Sequence, residues 1–158
     1  PVSQMYAREA WRLLSRSFEA SVRDPGDLEM RGRMQLGAYL AGAAIECSML
    51  GAAHACANPL TARFDITHGI AVAALLPEVV RFNRHEVGEI YDDLSPTLGA
   101  TFDQLRDAGG AEFRLGALGV DRNSLPELAA EAATQWTAGF NPRPVNETNL
   151  LALYEAAF

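Results

Sequence analysis

Apolar residues recur every three or four positions from the start of the chain. Tyr6, Ala10, Leu13, Leu14 and Phe18 form one stripe, with Arg8, Arg12, Arg16 and Glu19 among the other faces, a spacing that predicts an amphipathic helix. Asp24-Pro25-Gly26-Asp27 breaks the pattern and offers Asp27 as the N-cap of the next helix. That second helix is predicted over about 28–50. It begins charged and becomes nearly all apolar through "GAYLAGAAIECSMLGAA". A helix apolar on every face is expected to be buried, and its Gly and Ala residues allow neighbours to approach closely. Gly51 marks a bend before the segment that holds His54, Pro59 is expected to end that segment, and a loop should run through Asp65. From Thr67 the pattern is helical again, with Pro77 expected to kink it or to begin a new helix. A shorter helical piece is read over 89–94, and Gly109-Gly110 and the stretch 116–119 punctuate the middle. Ser124 with Glu127 reads as a capping box, Pro126 being tolerated in the first turn, for a helix running to about Thr137. Asn141 to Pro144 ("NPRP") is a rigid extended turn, and a last helix over about 147–158 has Leu150, Leu151, Leu153 and Tyr154 as its core side.

No alternating strand pattern, βαβ unit or glycine-rich phosphate loop interrupts this reading, so the expected fold class is all-α, a helical bundle forming a single lobe over residues 1–158. The composition, 49% apolar and 21% charged, is that of an ordinary globular protein. No stretch approaches the roughly 18–20 continuous apolar residues of a membrane span. The net charge of −7 argues against nucleic acid as a partner. All thirteen basic residues are arginine, which excludes a P-loop lysine or a Schiff-base lysine within this chain. Cys47 and Cys56 lack the spacing of a thiolate zinc site and read as two small buried residues in a reducing cytoplasm. The polar first residues do not resemble a signal peptide, and Pro1 in place of Met hints that the natural N-terminus lies elsewhere.

The candidate chemistry is sparse. His54 and His68 lie in apolar surroundings where helices meet a loop. His68 falls at the start of a helix, where the dipole favours the neutral ring that a metal requires. The two are fourteen residues apart, so a loop rather than one helix face must bring them together; on spacing alone, a buried hydrogen-bonded core histidine is the commoner outcome. His85, in "RFNRHEVGE", reads as a solvated surface residue. Asn58 follows His54 by four residues and should share its helical face. Its amide can hydrogen-bond a ligand but cannot do acid–base work near neutral pH, and it also reads as a C-cap before Pro59. The adjacent Asp92 and Asp93 point in different directions on a helix, and neither Ser48 nor Ser124 has a triad in register.

The run "GAAHACANPLTARFDITHGIAVAALLPEVVRFN", from Gly51 to Asn83, resembles the signature of the iron-containing (group III) alcohol dehydrogenases. In that family a G-x-x-H-A-x-x-H-P-L segment is followed, fourteen residues after its first His, by an H-G that leads into an L-L-P-x-V-x-x-F-N run. Gly51, His54, Ala55, Pro59, Leu60, His68, Gly69, Leu75, Leu76, Pro77, Val79, Phe82 and Asn83 fall in register with it. The tail "NPRPVNETNLLALYEAAF" is similar to the family's ending, so the likeness runs across nearly the whole chain. It implies the helical metal-binding C-terminal domain found in dehydroquinate synthase-like and iron-containing alcohol dehydrogenases. It also implies that His54 and His68 are two of four ligands to Fe²⁺ or Zn²⁺. The other two, an Asp and a His four residues apart on an earlier helix, have no counterpart here: no histidine precedes His54 and no Asp precedes Asp24. The family's N-terminal nucleotide-binding half, which takes NAD or NADP, is expected upstream of Pro1. Asn58 stands where the family usually has a second histidine facing the nicotinamide, so it is the candidate cofactor-binding residue, and the catalytic proton relay has no assigned residue. The region 109–119 is shorter than the family's usual helical stretch.

These observations lead to an oxidoreductase lobe that needs its nucleotide-binding half to interconvert a small alcohol and its aldehyde, and that is inactive by itself. The alternative is a free-standing, non-catalytic interaction or regulatory module of the same fold. A third reading, zinc-dependent glycerol dehydrogenase or dehydroquinate synthase chemistry, matches "PLTARFDITHG" less well than the iron alcohol branch. An exposed half-cleft also gives isolated lobes an apolar surface for self-association as a homodimer.

Overall fold

The structure, a computed structural model, describes residues 1–158 and is helical without a strand, as the all-α expectation requires. Seven α-helices follow in order: α1 (Val2–Arg23), α2 (Leu28–Ser48), α3 (Ala52–Phe64), α4 (His68–Asp92), α5 (Leu98–Gly109), α6 (Leu125–Thr134) and α7 (Glu147–Ala157), with short 3-10 turns at Arg122–Ser124 and Trp136–Phe140. They fall into two compact units, Pro1–Met49 with Gln104–Gly110, and Leu50–Asp103 with Ala111–Phe158. No single helix is long and apolar enough to cross a membrane.

The first unit is built on an α1–α2 hairpin. Its turn is made where the sequence places it. Asp24 Oδ1 accepts the Gly26 N–H at 3.0 Å, and Asp27 caps α2 by accepting the N–H groups of Glu29 and Met30 at 2.9 and 3.0 Å. Ala10, Leu13 and Ser17 of α1 are buried. Gly37 lets α2 come close: a Cβ there would sit 2.8 Å from Leu14 Cγ. The expectation of a wholly buried α2 is corrected, because only Gly37 and Ala44 of that helix are buried and Leu36 and Tyr39 are 50% and 72% exposed. Its apolar content is largely Gly and Ala, which pack tightly on one face but bury little area.

The second unit holds the main core. Ala52, Cys56 and Leu60 repeat every four residues along α3 and are fully buried, as are Ala71, Ala74 and Leu75 of α4, Leu128 and Ala132 of α6, and Leu150 and Tyr154 of α7. Tyr154 brings its hydroxyl to the carbonyl of Cys56 at 2.6 Å, so this buried phenol is satisfied. α3 begins at Gly51, where a Cβ would meet Asn141 Oδ1 at 2.9 Å, so the close approach requires glycine.

Several expected boundaries are corrected here. α3 does not end at Pro59 but continues to Phe64, closing on Asp65 in the left-handed region at φ 53°. Pro77 starts no new helix; α4 passes through it, and the backbone leaves helical geometry only at Val87 (φ −129°, ψ 24°). The short helical piece expected near 89–94 is the end of α4 beyond that break. Both prolines are buried, and core packing offsets a backbone cost of about 3 kcal/mol each. Ser124 makes no capping box: its hydroxyl donates to the Asp121 carbonyl at 2.6 Å, while Asp121 caps the 3-10 turn through the Asn123 N–H. α6 stops at Thr134 rather than Thr137. α7 is capped reciprocally by Asn146 and Asn149, and Leu150, Leu153 and Tyr154 are buried as expected, whereas Leu151 is only partly buried against the core.

Candidate functional site

α3 and α4 are consecutive helices joined at 65–67, and this short return brings the two candidate histidines together. His54 is the third residue of α3 and His68 the first of α4. Their ring centroids are 5.3 Å apart, with the planes inclined at 47°. His54 is partly buried and His68 exposed, so the pair sits at the edge of the core with one side open. Thr61, one turn before the end of α3, places its hydroxyl 3.5 Å from His68 Nδ1. Burial of the His54 ring, and secondarily the neighbouring His68, push the His54 pKa below the ordinary histidine value and disfavour its protonation.

Asn58 lies on α3 one turn beyond His54, on the same face, as the spacing requires. It is not a C-cap, since the helix continues past it. Its amide Nδ2 donates to Gln135 Oε1 at 3.0 Å, which ties the 3-10 turn Trp136–Phe140 to α3. A second tie is made by Asn141, whose Oδ1 accepts the Ala52 N–H at 3.1 Å. Gln135 was not singled out by sequence patterning; the signal that could have found it is its place just before the turn that leads into the "NPR" motif.

The remaining candidates are surface residues. His85 is exposed beside Glu86 at 3.0 Å, and Asp92 pairs with Arg84 at 2.5 Å. Ser48 donates back to the Ala44 carbonyl at 2.8 Å, so neither serine is set up as a nucleophile. No group of three or more His, Cys, Asp or Glu residues gathers at any point of the chain. His54 and His68 therefore stand as a pair of imidazoles with no third such side chain gathered beside them.

Comparison with known proteins places this arrangement. The model of the Fe-containing alcohol dehydrogenase family, C-terminal part, matches residues 1–158. The 1,3-propanediol dehydrogenase of Klebsiella pneumoniae is 31% identical over an alignment of 174 residues, covering 100% of this chain and 45% of that protein. The lactaldehyde reductase of Escherichia coli K12 is 32% identical over 149 residues, covering 84% of this chain and 39% of that one. Among solved structures, a 1,3-propanediol oxidoreductase superposes with a TM-score of 0.94 at 30% identity, over 100% of this chain and 46% of its own. The maleylacetate reductase of Rhizobium sp. strain MTP-10005 superposes with a TM-score of 0.88 at 26% identity, again over 100% and 46%. The chain thus spans a little under half the length of these relatives, and it belongs to the iron-containing alcohol dehydrogenase family of oxidoreductases, as its C-terminal part.

Proposed function

We propose that this chain is the metal-holding helical lobe of an NAD(P)-dependent alcohol dehydrogenase, which interconverts an alcohol and its aldehyde by hydride transfer once joined to an N-terminal nucleotide-binding half. The observation that carries the reading is the approach of His54 to His68, 5.3 Å between ring centroids, with Asn58 one turn along the same face of α3.

The donor set fits the group. Two imidazoles are ligands that divalent iron and zinc both accept. The burial that disfavours protonation of His54 favours the free ring-nitrogen lone pair that a metal bond needs. Because no third ligand gathers beside them, they fit as half of a four-ligand site, with the other half supplied from outside this chain. A bound Fe²⁺ or Zn²⁺ supplies Lewis acidity toward the alcohol or aldehyde oxygen. What the chain's own residues do is narrower. The α3–α4 return fixes the spacing of the two imidazoles. Asn58 is held by Gln135 through its Nδ2, which leaves its carbonyl oxygen as an acceptor that would meet the cofactor. It would orient the nicotinamide but holds no proton to relay near neutral pH.

The test is metal retention. In the intact enzyme, replacing either His54 or His68 by alanine should remove most of the bound metal and the NAD(P)-dependent turnover together. Retention of stoichiometric metal in His54→Ala, His68→Ala double-substituted protein would overturn the assignment. A protein that binds no metal and turns over no alcohol would favour the non-catalytic module.

A further inference from the structure

The 3-10 turn Trp136–Phe140 carries two large aromatic side chains that are not buried: Trp136 is 64% exposed and Phe140 52%. Their rings meet edge to face with centroids 5.8 Å apart and planes at 89°, so each restricts the other's rotamers. The turn between them is anchored from beneath, where Thr137 and Ala138 are buried.

The turn is tied to α3 at both of its ends. Before it, Gln135 accepts from Asn58 at 3.0 Å. After it, Asn141 accepts from the Ala52 N–H at 3.1 Å. On α3 these two anchor points bracket His54, Ala52 being two residues before it and Asn58 four after. The turn therefore runs alongside the segment of α3 that carries His54, and Trp136 is the immediate neighbour of the residue that holds Asn58. Within the turn, the Thr137 hydroxyl is buried and finds no hydrogen-bond partner in the protein. A buried hydroxyl left unpaired is costly and is normally satisfied by a bound molecule or water.

We propose that Trp136 and Phe140 form one wall of a substrate subsite, selecting alcohols or aldehydes whose reacting carbon bears a planar aromatic or conjugated group. This rests on the oxidoreductase reading above and narrows its substrate class. The quadrupole of an aromatic wall rewards a second flat ring, by offset stacking or edge-on contact, more than a short flexible chain. Two rings locked at a right angle offer a face and an edge at once, so a planar group gains both contacts without ordering the wall on binding.

The experiment compares kcat/KM of the intact enzyme for benzyl alcohol and for 1-propanol, in the native protein and in Trp136→Ala and Phe140→Ala. The benzyl-to-propanol ratio should fall roughly tenfold in Trp136→Ala and severalfold in Phe140→Ala, chiefly through KM, and Trp136→Phe should restore most of it. Trp136→Leu gives the same readout should the alanine variant fail to fold. Turnover of both alcohols with a ratio unchanged within about twofold overturns the subsite and leaves the oxidoreductase reading standing. A native enzyme that turns over neither alcohol, with metal and NAD(P) present, overturns both.

Discussion

Asn83 of α4 and Asn141 exchange two buried hydrogen bonds, Asn83 Nδ2 to Asn141 Oδ1 at 3.1 Å and Asn141 Nδ2 to Asn83 Oδ1 at 2.7 Å. Asn141 also accepts the Ala52 N–H and donates to the Arg143 carbonyl at 2.7 Å. Arg143 in turn donates to the Phe82 carbonyl at 3.0 Å and lies over the Phe82 ring at 4.0 Å. One amide thus joins the first turn of α3, the later part of α4 and the loop before α7. Replacing Asn141 by alanine leaves several of these buried groups unpaired, and a loss of about 2–4 kcal/mol of stability is expected. Urea denaturation measures it, and a loss below about 0.5 kcal/mol would show that water replaces the amide.

The two cysteines should differ sharply toward thiol reagents. Cys56 is buried in the core, and burial, opposed by its contact with Tyr154, pushes its thiol up to about 12. Cys47 is exposed. Titration of the native chain with a chromogenic disulfide at pH 8 should label Cys47 quickly and Cys56 only on unfolding. Equal labelling rates for both would contradict the packing of α3 against α7.

The His54 ring should make the metal-free chain more stable as pH rises toward neutrality. Its folded pKa is lowered by burial and by His68, so between that value and the ordinary histidine value near 6.5 the unfolded chain binds more protons than the folded one. Stability therefore falls as pH drops through this window, and the contribution is fully present above it. His54→Gln should flatten that part of a stability-versus-pH curve. An unchanged slope in the variant would assign the effect elsewhere.

Met49, at the end of α2, holds φ 68° and ψ −177°. This region is open in practice to glycine alone and costs roughly 1–3 kcal/mol for other residues. Met49→Gly should raise stability by about 1 kcal/mol after the added flexibility of the unfolded chain is subtracted. A thermal melt reads the change, and a clear destabilisation would mean that the Met49 side chain contributes more packing than its strained backbone costs.

Local chemistry was the legible part of this fold. The Asp24–Asp27 turn and its cap, the helical spacing of Leu150, Leu153 and Tyr154, and the placement of His68 at a helix start all depend on neighbours in sequence, and each is found as read. What failed depends on tertiary packing. Pro59 looks like a helix end and Pro77 like a kink or a helix start because their missing N–H is visible in sequence, whereas the core burial that offsets it is not. Ser124 looks like a cap, but Asp121 three residues earlier begins a 3-10 turn that takes its hydroxyl. At the candidate site, the His54–Asn58 face follows from helical period, but the partner of Asn58 lies 77 residues away, and no local pattern reports a contact of that range.

The most direct measurement is metal-dependent turnover by the protein as its own cell makes it. The purified protein is stripped with a chelator, reloaded with Fe²⁺ or Zn²⁺, and followed at the reduced-nicotinamide absorbance with an alcohol and NAD or NADP. The expected result is activity that is lost on stripping, restored by one metal per chain, and not restored in His54→Ala or His68→Ala. Turnover that survives complete metal removal, or that returns in the histidine variants, would contradict the assignment of these two residues as metal ligands.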